Sequence, residues 1–387
     1  MACFGDGLAI GGDLLHAAEE ATARALVPLG GRAPDLLCVF VAGADPEDVA
    51  AAFGHAAQVS AAGATIGCSA GGVIGGAHGV EGRAAVSVFA AVLPDVRLRA
   101  FHLEVLTSEE GAAVIGLPEP DGDDVAVLLA DPYSFPAEGF LDQVNVALPG
   151  LPVVGGLAGG ARGAGSTRLL VDGRVVDRGA VGVLVQGAGL RTIVSQGCRP
   201  VGPPMTVTAA AGNVLRELAG VPALQRLEQL LAELSPADQA LARSGLQIGI
   251  AMDEYAEEHD FLVRAILGVE RETGGVVVGD LVEVGRTVRL QVRDADAADA
   301  DLRALLAGYR RVSRDTPAGG VLLFSCNGRG AHLFGASHGG ADHDPALVRE
   351  ELAAPGIAGF FAGGELGPVG GRNHLHGFTA SVLAFPC

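Results

Sequence analysis

Ile66-Gly67-Cys68-Ser69-Ala70-Gly71-Gly72 is a short apolar run that ends in packed glycines, and the same design returns three more times. The other instances are Val154-Gly155-Gly156-Leu157-Ala158-Gly159-Gly160, Phe324-Ser325-Cys326-Asn327-Gly328-Arg329-Gly330 and Phe361-Ala362-Gly363-Gly364-Glu365. Each reads as a strand feeding a tight turn. Val, Ile, Leu and Phe suit a buried pleated surface, and glycine lets another backbone come close at the strand end. Two instances fall in each half of the chain, which reads as an ancient duplication.

The surrounding sequence supplies matching elements. Leu36–Val41, Ala85–Val92, Val96–Val105 and Val125–Ala130 are strand-like runs bounded by Gly, Pro or Asp. Leu14 to Leu26 predicts a helix, and Pro46 to Ala62 predicts another with Asp45 as its N-cap. Asp172-Gly173, between Thr167–Val171 and Arg174–Val176, marks a hairpin with a type I′ turn. Strands Ala180–Gln186 and Leu190–Gln196 follow. Short links between strands imply antiparallel pairing, so the sheet is not purely parallel.

The span 198–235, with its stiff Gly202-Pro203-Pro204, reads as the joint between halves. Leu224, Leu227, Leu231 and Leu234 predict a helix from Pro222 to Leu234, stopped by Ser235-Pro236. Further on, Leu246–Met252, Phe261–Leu267, Val276–Val278, Val288–Val292, Val321–Ser325, His332–Ala336, Ile357–Phe361 and Phe378–Phe385 read as strands. Asp299–Val312 and Asp344–Ala353 read as helices. The expectation is an α/β (α+β) fold in two related halves, with largely antiparallel or mixed sheets and outer helices. A four-layer αββα sandwich is one such arrangement. The expected divisions are an N-terminal lead-in at 1–34 and domains at 35–221 and 222–387.

Composition narrows the function. A formal net charge of −19 disfavours nucleic acid and anionic membrane surfaces. All 26 basic residues are Arg. A chain without Lys has no Walker-A lysine, no pyridoxal Schiff base and no Ser-x-x-Lys nucleophile. The six cysteines (Cys3, Cys38, Cys68, Cys198, Cys326, Cys387) form no Cys-x-x-Cys pair. With no signal-like segment at Met1–Asp13, they read as free thiols in a reducing, cytoplasmic compartment. No apolar run is long enough to cross a membrane as a helix. No cofactor is expected.

The candidate contacts sit in the glycine-rich stretches. Gly71, Gly155, Gly156 and Gly364 would let backbone N–H groups converge on a ligand. Cys68 and Ser69 add a thiol and a hydroxyl. Arg329 offers a planar fork for a carboxylate, Asn327 donates and accepts, and Cys326 lies beside both. Glu365, an acid among glycines, suits a ligand ammonium or a pairing with Arg329. Together Arg329 and Glu365 would fit an amino-acid-like zwitterion. Of the late histidines His332, His338, His343, His374 and His376, only His376 joins the ligand set. The group lacks the spacing of a metal site and reads as polar strand-rim residues. A cysteine-dependent enzyme using Cys68 or Cys326, or a non-catalytic interaction scaffold, are the other readings. The four turns are expected to meet at one small-molecule cleft.

At these residues the chain resembles the FIST family of paired N-terminal and C-terminal sensory domains. The resemblance is carried by IGCSAGGVIGG at 66–76, VVGGLAGGA at 153–161 and SQGCRPVGPPMTVTAAAGNVLRELAGVPAL at 195–224. LLFSCNGRGAHLFG at 322–335, GFFAGGELGPVGG at 359–371 and LHGFTAS at 375–381 complete it. It implies a small-ligand sensor in signal transduction, with amino acids as proposed ligands. Relatives occur alone, fused to signalling outputs or joined to an F-box. No such output segment is present here, so a separate signalling protein is the implied partner. Where relatives often carry a Thr-Ala-Gly-Glu-like run, this chain has Ala70-Gly71-Gly72, which bears on ligand choice.

Overall fold

The computed structural model describes residues 1–108, 111–160, 163–187, 189–252, 254, 261–314 and 316–387. Ala161, the last residue of one quoted stretch, lies outside them. The chain forms two compact units. The first holds Met1–Ser195, Leu302–Leu375 and Thr379–Cys387; the second holds Gln196–Asp301 and His376–Phe378. The α/β class with mixed and antiparallel sheets is as expected.

The first unit uses one strand pattern three times. Copy one runs β1 (Cys3–Ile10), α1 (Leu14–Leu26), β2 (Leu36–Ala42), α2 (Pro46–Ser60), β3 (Ala64–Ala70), the hairpin β4 (Gly72–Gly75) and β5 (His78–Glu81), and β6 (Ala85–Val92). Copy two runs β7 (Arg97–Ser108), an extra edge strand β8 (Gly111–Ile115), β9 (Val125–Ala130), α3 (Ala137–Ala147), β10 (Val153–Leu157), the hairpin β11 (Leu169–Val171) and β12 (Arg174–Val176), and β13 (Ala180–Gln186). Copy three opens with β14 (Arg191–Gln196). It resumes, in chain-order numbering, at α6 (Ala295–Val312), β22 (Ala318–Cys326), α7 (His343–Leu352), β23 (Gly356–Ala362), the hairpin β24 (Glu365–Val369) and β25 (Arg372–His376), and β26 (Thr379–Pro386).

Their sheets share one order: β1-β6-β2-β3, β7-β13-β9-β10 and β14-β26-β22-β23. Each has a parallel pair bridged by a helix, β2 with β3, β9 with β10 and β22 with β23. Each hairpin then leaves its own copy and extends another. β11–β12 extend β3, β24–β25 extend β10, and β4–β5 extend β23. The relatedness sensed in the sequence therefore lies among three sheets of one unit, and residues 1–34 supply the first strand and helix of copy one.

All three sheets turn one face to a single apolar core. Phe40, Phe324, Phe360, Val127, Leu129 and Val183 meet there, with the Phe40 and Phe360 rings 5.2 Å apart. Burying each such ring contributes about 2–3 kcal/mol. The outer faces are covered by α1 and α2, by α3, and by α6 and α7. A section through two sheets thus reads helix, sheet, sheet, helix.

Superposing the registers aligns Gly67, Gly155 and Gly359, which face Val39, Leu128 and Leu323 on the parallel partner. A Cβ at these glycines would lie 2.3, 1.9 and 1.7 Å from the facing carbonyl oxygen. Only glycine allows that approach. From these positions the run Gly-x-x-Ala-Gly-Gly recurs at 67–72, 155–160 and 359–364.

The second unit comprises β15 (Cys198–Ala211), β16 (Val214–Leu218), β17 (Val221–Pro222), α4 (Ala223–Glu233), α5 (Pro236–Ser244), β18 (Leu246–Ala251), β19 (Phe261–Glu270), β20 (Gly275–Val278) and β21 (Thr287–Arg293). Its order β15-β21-β18-β19-β20-β16 closes through a β15–β16 pairing. Val207, Leu215, Ile248, Val276, Val278, Val288 and Leu290 fill the barrel, and Leu227 and Leu230 of α4 cover it. The stretch 198–235 is therefore built into this unit and is not a joint. The register of β15 shifts between Val201 and Met205, so Gly202-Pro203-Pro204 acts as the bulge that turns the strand from one partner to the other. Ser235 ends α4 as expected, and its side chain accepts the Asp238 N–H to cap α5.

Two further expectations resolve locally. Asp172 and Gly173 have φ of 45° and 72°, as a type I′ turn requires. His332–Ala336 is not a strand. Leu333 N donates to Arg329 O at 2.6 Å and Gly335 N to Ala331 O at 3.1 Å, which coils the segment into irregular helical turns.

Gly359→Ala is expected to cost about 3 kcal/mol or more in urea unfolding, because the facing carbonyl is backbone and cannot yield. Gly122→Ala, where an added Cβ meets nothing within 4 Å, should stay within about 0.5 kcal/mol of the parent.

Candidate ligand site at the converging strand ends

The carboxyl ends of the three parallel pairs meet in the first unit. A Cβ on Gly71 would lie 3.4 Å from Gly160 Cα, and one on Gly159 would lie 3.4 Å from Gly71 N and from Phe361 O. Gly363 N donates to Leu157 O at 3.0 Å, and Leu157 N donates to Gly364 O at 2.8 Å. Asn327 N donates to Ala362 O at 2.9 Å, which ties the fourth glycine-rich stretch to the other three. Gly71, Gly160, Gly363 and Asn327 are exposed at this junction.

Beneath it the third copy departs from the first. Cys326 faces Ala362 where Ala42 faces Ala70. Glu365 faces Gly156 where Val73 faces Phe360 and Leu169 faces Cys68. Ser325 pairs with Ala380 as Val41 pairs with Val86, so Thr379 stands where Ala85 does. Ala, Val and Ala satisfy the scaffold at these three places in copy one; Cys, Glu and Thr occupy them in copy three. Copy two has Asp131 in the position of Cys326. Its carboxylate is engaged, accepting from Thr167 Oγ1 at 2.6 Å and Ser134 Oγ at 2.5 Å.

Arg329 is fully buried, at 0% exposure. Its Nε and Nη2 donate to Asp344 Oδ2 and Oδ1 at 2.8 and 2.9 Å. Ser325 Oγ donates to the same carboxylate at 2.6 Å, and His343 Nδ1 lies 2.9 Å from it. The guanidinium carbon sits 5.3 Å from the centre of the Phe334 ring, which stacks on His343 at 3.4 Å. Burial alone would raise the Asp344 carboxyl, but the Arg329 charge outweighs it and holds the group well below the usual carboxylate range. The pair is thus an ion pair throughout the ordinary pH range.

Glu365 is the opposite case. It is fully buried, and burial pushes its carboxyl up to about 8 against the donors from Thr379 and the nearby Cys326 thiol and Arg329 charge. Oε2 accepts from Thr379 N at 3.2 Å and Thr379 Oγ1 at 2.8 Å, whereas Oε1 has no hydrogen-bond partner. Near neutrality the group is mostly a neutral acid. Arg329 therefore pairs with Asp344, and Glu365 contributes only a weaker attraction to it.

The other expected contacts are placed differently. Cys68 lies in the apolar core, and burial, then the neighbouring Cys38, pushes its thiol well up. Ser69 is buried and its Oγ accepts from Arg168 N at 3.1 Å. Gly155 and Gly156 permit close packing, the latter with a built Cβ 2.8 Å from Ala362 Cβ. Gly364 is buried at the junction itself. His376 is buried and falls in the second unit. Among the described residues no group of His, Cys, Asp and Glu is arranged to hold a metal. Two open grooves of about 850 and 870 Å³ lie elsewhere in the first unit, one along Gly7–Ile10 and Glu81, the other along His102 and Arg168. Neither is lined by Cys326, Asn327 or Glu365. Asp344, Ser325 and Thr379 are the partners that sequence reasoning missed. In the sequence Asp344 marks the start of a helix and flanks His343, and neither feature points to Arg329.

The chain matches the FIST N domain over residues 35–221 and the FIST C domain over residues 223–368. It belongs to the FIST family. FIST domains are small-ligand sensory domains of signal transduction. An uncharacterized protein of Mycobacterium tuberculosis is 43% identical over 387 residues, covering 99% of both chains. Another, of Mycobacterium bovis, is 40% identical over 388 residues, covering 99% of this chain and 98% of the relative. The FIST N span runs from β2 through β17 and the FIST C span from α4 through β24, so the two FIST spans and the two compact units divide the chain differently. No helix among the described residues is long and apolar enough to cross a membrane.

Two measurements check these electrostatics. Arg329→Met should cost about 3–5 kcal/mol, because it leaves Asp344 buried without its counter-charge. Arg310→Ala, at a half-exposed pair with Glu351, should cost under about 1 kcal/mol. Glu365 gives the pH dependence. Its folded pKa is raised, so the folded state binds more protons, and its contribution to stability falls as pH climbs from about 4.5 to about 8. Glu365→Gln should therefore gain on the parent by a few kcal/mol between pH 5 and pH 9, read by urea unfolding at both. Asp344 acts with opposite sign: its stabilisation is complete well above the ordinary carboxylate value of 3.8 and is lost progressively as pH falls through and below it.

Proposed function

We propose that this chain is a cytoplasmic sensor of a small carboxylate, an amino acid or a close analogue, that reports to a separate signalling protein. The observation that carries this reading is the junction itself. Exposed glycines and Asn327 gather at the carboxyl ends of three parallel strand pairs, where open sheets commonly receive ligands. Below it lies the one place where a copy of the scaffold has exchanged Ala and Val for Cys, Thr and Glu.

In this reading Asn327 contacts the ligand, while Cys326 and the neutral acid Glu365 form the polar floor. A protonated carboxyl donates a hydrogen bond, which suits a ligand carboxylate. Arg329 acts as a positioning residue. Its bond to Asp344 anchors the segment that follows Asn327. The ligand biases the protein between states by binding one of them better, and the partner reads the result. Cys68 takes no part, since its thiol is sealed in the core.

A thermal-shift screen of the full chain against the amino acids and a panel of small organic acids tests this. A ligand at about 100 times its Kd adds about 2.7 kcal/mol and raises Tm by several degrees. Asn327→Ala, at an exposed position, should keep the unliganded Tm and lose most of the shift. Failure of every compound at millimolar concentration, or a full shift in Asn327→Ala, overturns the proposal.

A further inference from the structure

We propose that Cys326 is a peroxide-reactive thiol, converted by hydrogen peroxide to a sulfenic acid with Glu365 handling the proton. The proposal goes beyond ligand sensing and does not depend on it. It starts from the internal comparison. Copy one shows that the fold is content with Ala42 and Val73 where copy three has Cys326 and Glu365. Packing does not demand a thiol or an acid there, and burying an acid that lacks a partner at one oxygen is unfavourable.

The surroundings of the sulfur fit nucleophilic attack. Gly328 N donates to Cys326 Sγ at 3.4 Å, and the buried Arg329 charge lies near enough to interact with it. Both favour negative charge on sulfur. The thiol donates weakly to Asn327 Oδ1 at 3.8 Å and also interacts with the Glu365 carboxyl, whose Oε1 makes no other hydrogen bond. Cys326 is 6% exposed, at the floor of the junction beside exposed Asn327. A reactant that reaches this sulfur must therefore be small and uncharged, as hydrogen peroxide is.

The step balances. The thiol proton passes to the Glu365 carboxyl as sulfur attacks one peroxide oxygen. The S–O bond forms, the O–O bond breaks, and a proton from Glu365 goes to the departing oxygen, which leaves as water. Sulfur is oxidised by two electrons and the peroxide is reduced by the same two. The product hydroxyl then lies where it can donate to Oε1.

The test exposes the full-length protein to micromolar hydrogen peroxide for a set time, then unfolds it in urea containing excess dimedone, so that sulfenic acid is trapped whatever its burial, and locates the adduct by mass spectrometry. Cys326 should be labelled at least ten times faster than Cys387, the exposed thiol in the same molecule. Glu365→Gln should slow labelling at Cys326 by roughly 100-fold, the lower range for loss of a general acid, and leave Cys387 unchanged. Glu365→Val, which copies Val73, supplies a second variant whose packing the scaffold already accepts, with the same expected loss. Labelling confined to Cys387, or Cys326 labelling at the parental rate in both variants, overturns the proposal.

Discussion

The first unit depends on the approach of bare backbone to bare backbone at Gly67, Gly155 and Gly359. At each of these positions a side chain would occupy the space of the carbonyl oxygen on the parallel neighbour. Because that space stays empty, strands β3, β10 and β23 lie close against β2, β9 and β22, and all three pairs end at the same level. The Ala-Gly-Gly that follows each glycine by three residues then turns the chain without bulk. This lets three hairpins cross to the next sheet, with the glycine stretches that lead into them packed against one another. Sheet edges that would otherwise be open at β3, β10 and β23 are each paired by a hairpin from another copy, so no copy is complete alone.

A scaffold made this way contains its own control experiment. Three copies meet the same packing problem at the same register, and where they agree the residue answers a demand of the fold. Where one disagrees, something else selects it. Copy one solves the positions under the junction with Ala42, Val73 and Ala85, all apolar and buried. Copy three spends stability there on a carboxyl with an unpartnered oxygen and on a thiol beside it. It also carries the long segment between β22 and α7, whose buried Arg329–Asp344 pair holds irregular turns in place of the direct strand-to-helix link from β2 to α2. Copy one shows the apolar solution at these positions, and copy two an Asp131 fully engaged by Thr167 and Ser134.

Much of this was legible from residues alone. The four glycine-rich stretches, the Asp45 cap, the Asp172-Gly173 hairpin and the strand ends at 66–72 and 154–160 follow from local rules, because turn chemistry and alternation act within a few residues. The threefold count did not emerge. Gly-x-x-Ala-Gly-Gly appears three times, but Phe324–Gly330 mimics it as a fourth and belongs to the end of the other strand of a parallel pair. Only register separates them. Arg329 illustrates the same limit. Its partner lies 15 residues on, across irregular turns that have no periodic signal, and Glu365 was the more visible acid because glycines surround it. The barrel escaped for a different reason. Gly202-Pro203-Pro204 has the composition of a linker, and a bulge inside a long strand uses the same residues.

The placement of the second unit in the chain bears on how such a site can be used. It is inserted between β14 and α6 of copy three, the same copy that carries Cys326, Arg329 and Glu365. It also takes in His376–Phe378, which lead directly into Thr379, the donor to Glu365. The backbone that leaves the polar cluster on one side therefore passes through the second unit within three residues. Thr379, which donates to Glu365, is thus one peptide bond from that unit. Copy one has only α1 at the corresponding place, and copy two only the edge strand β8.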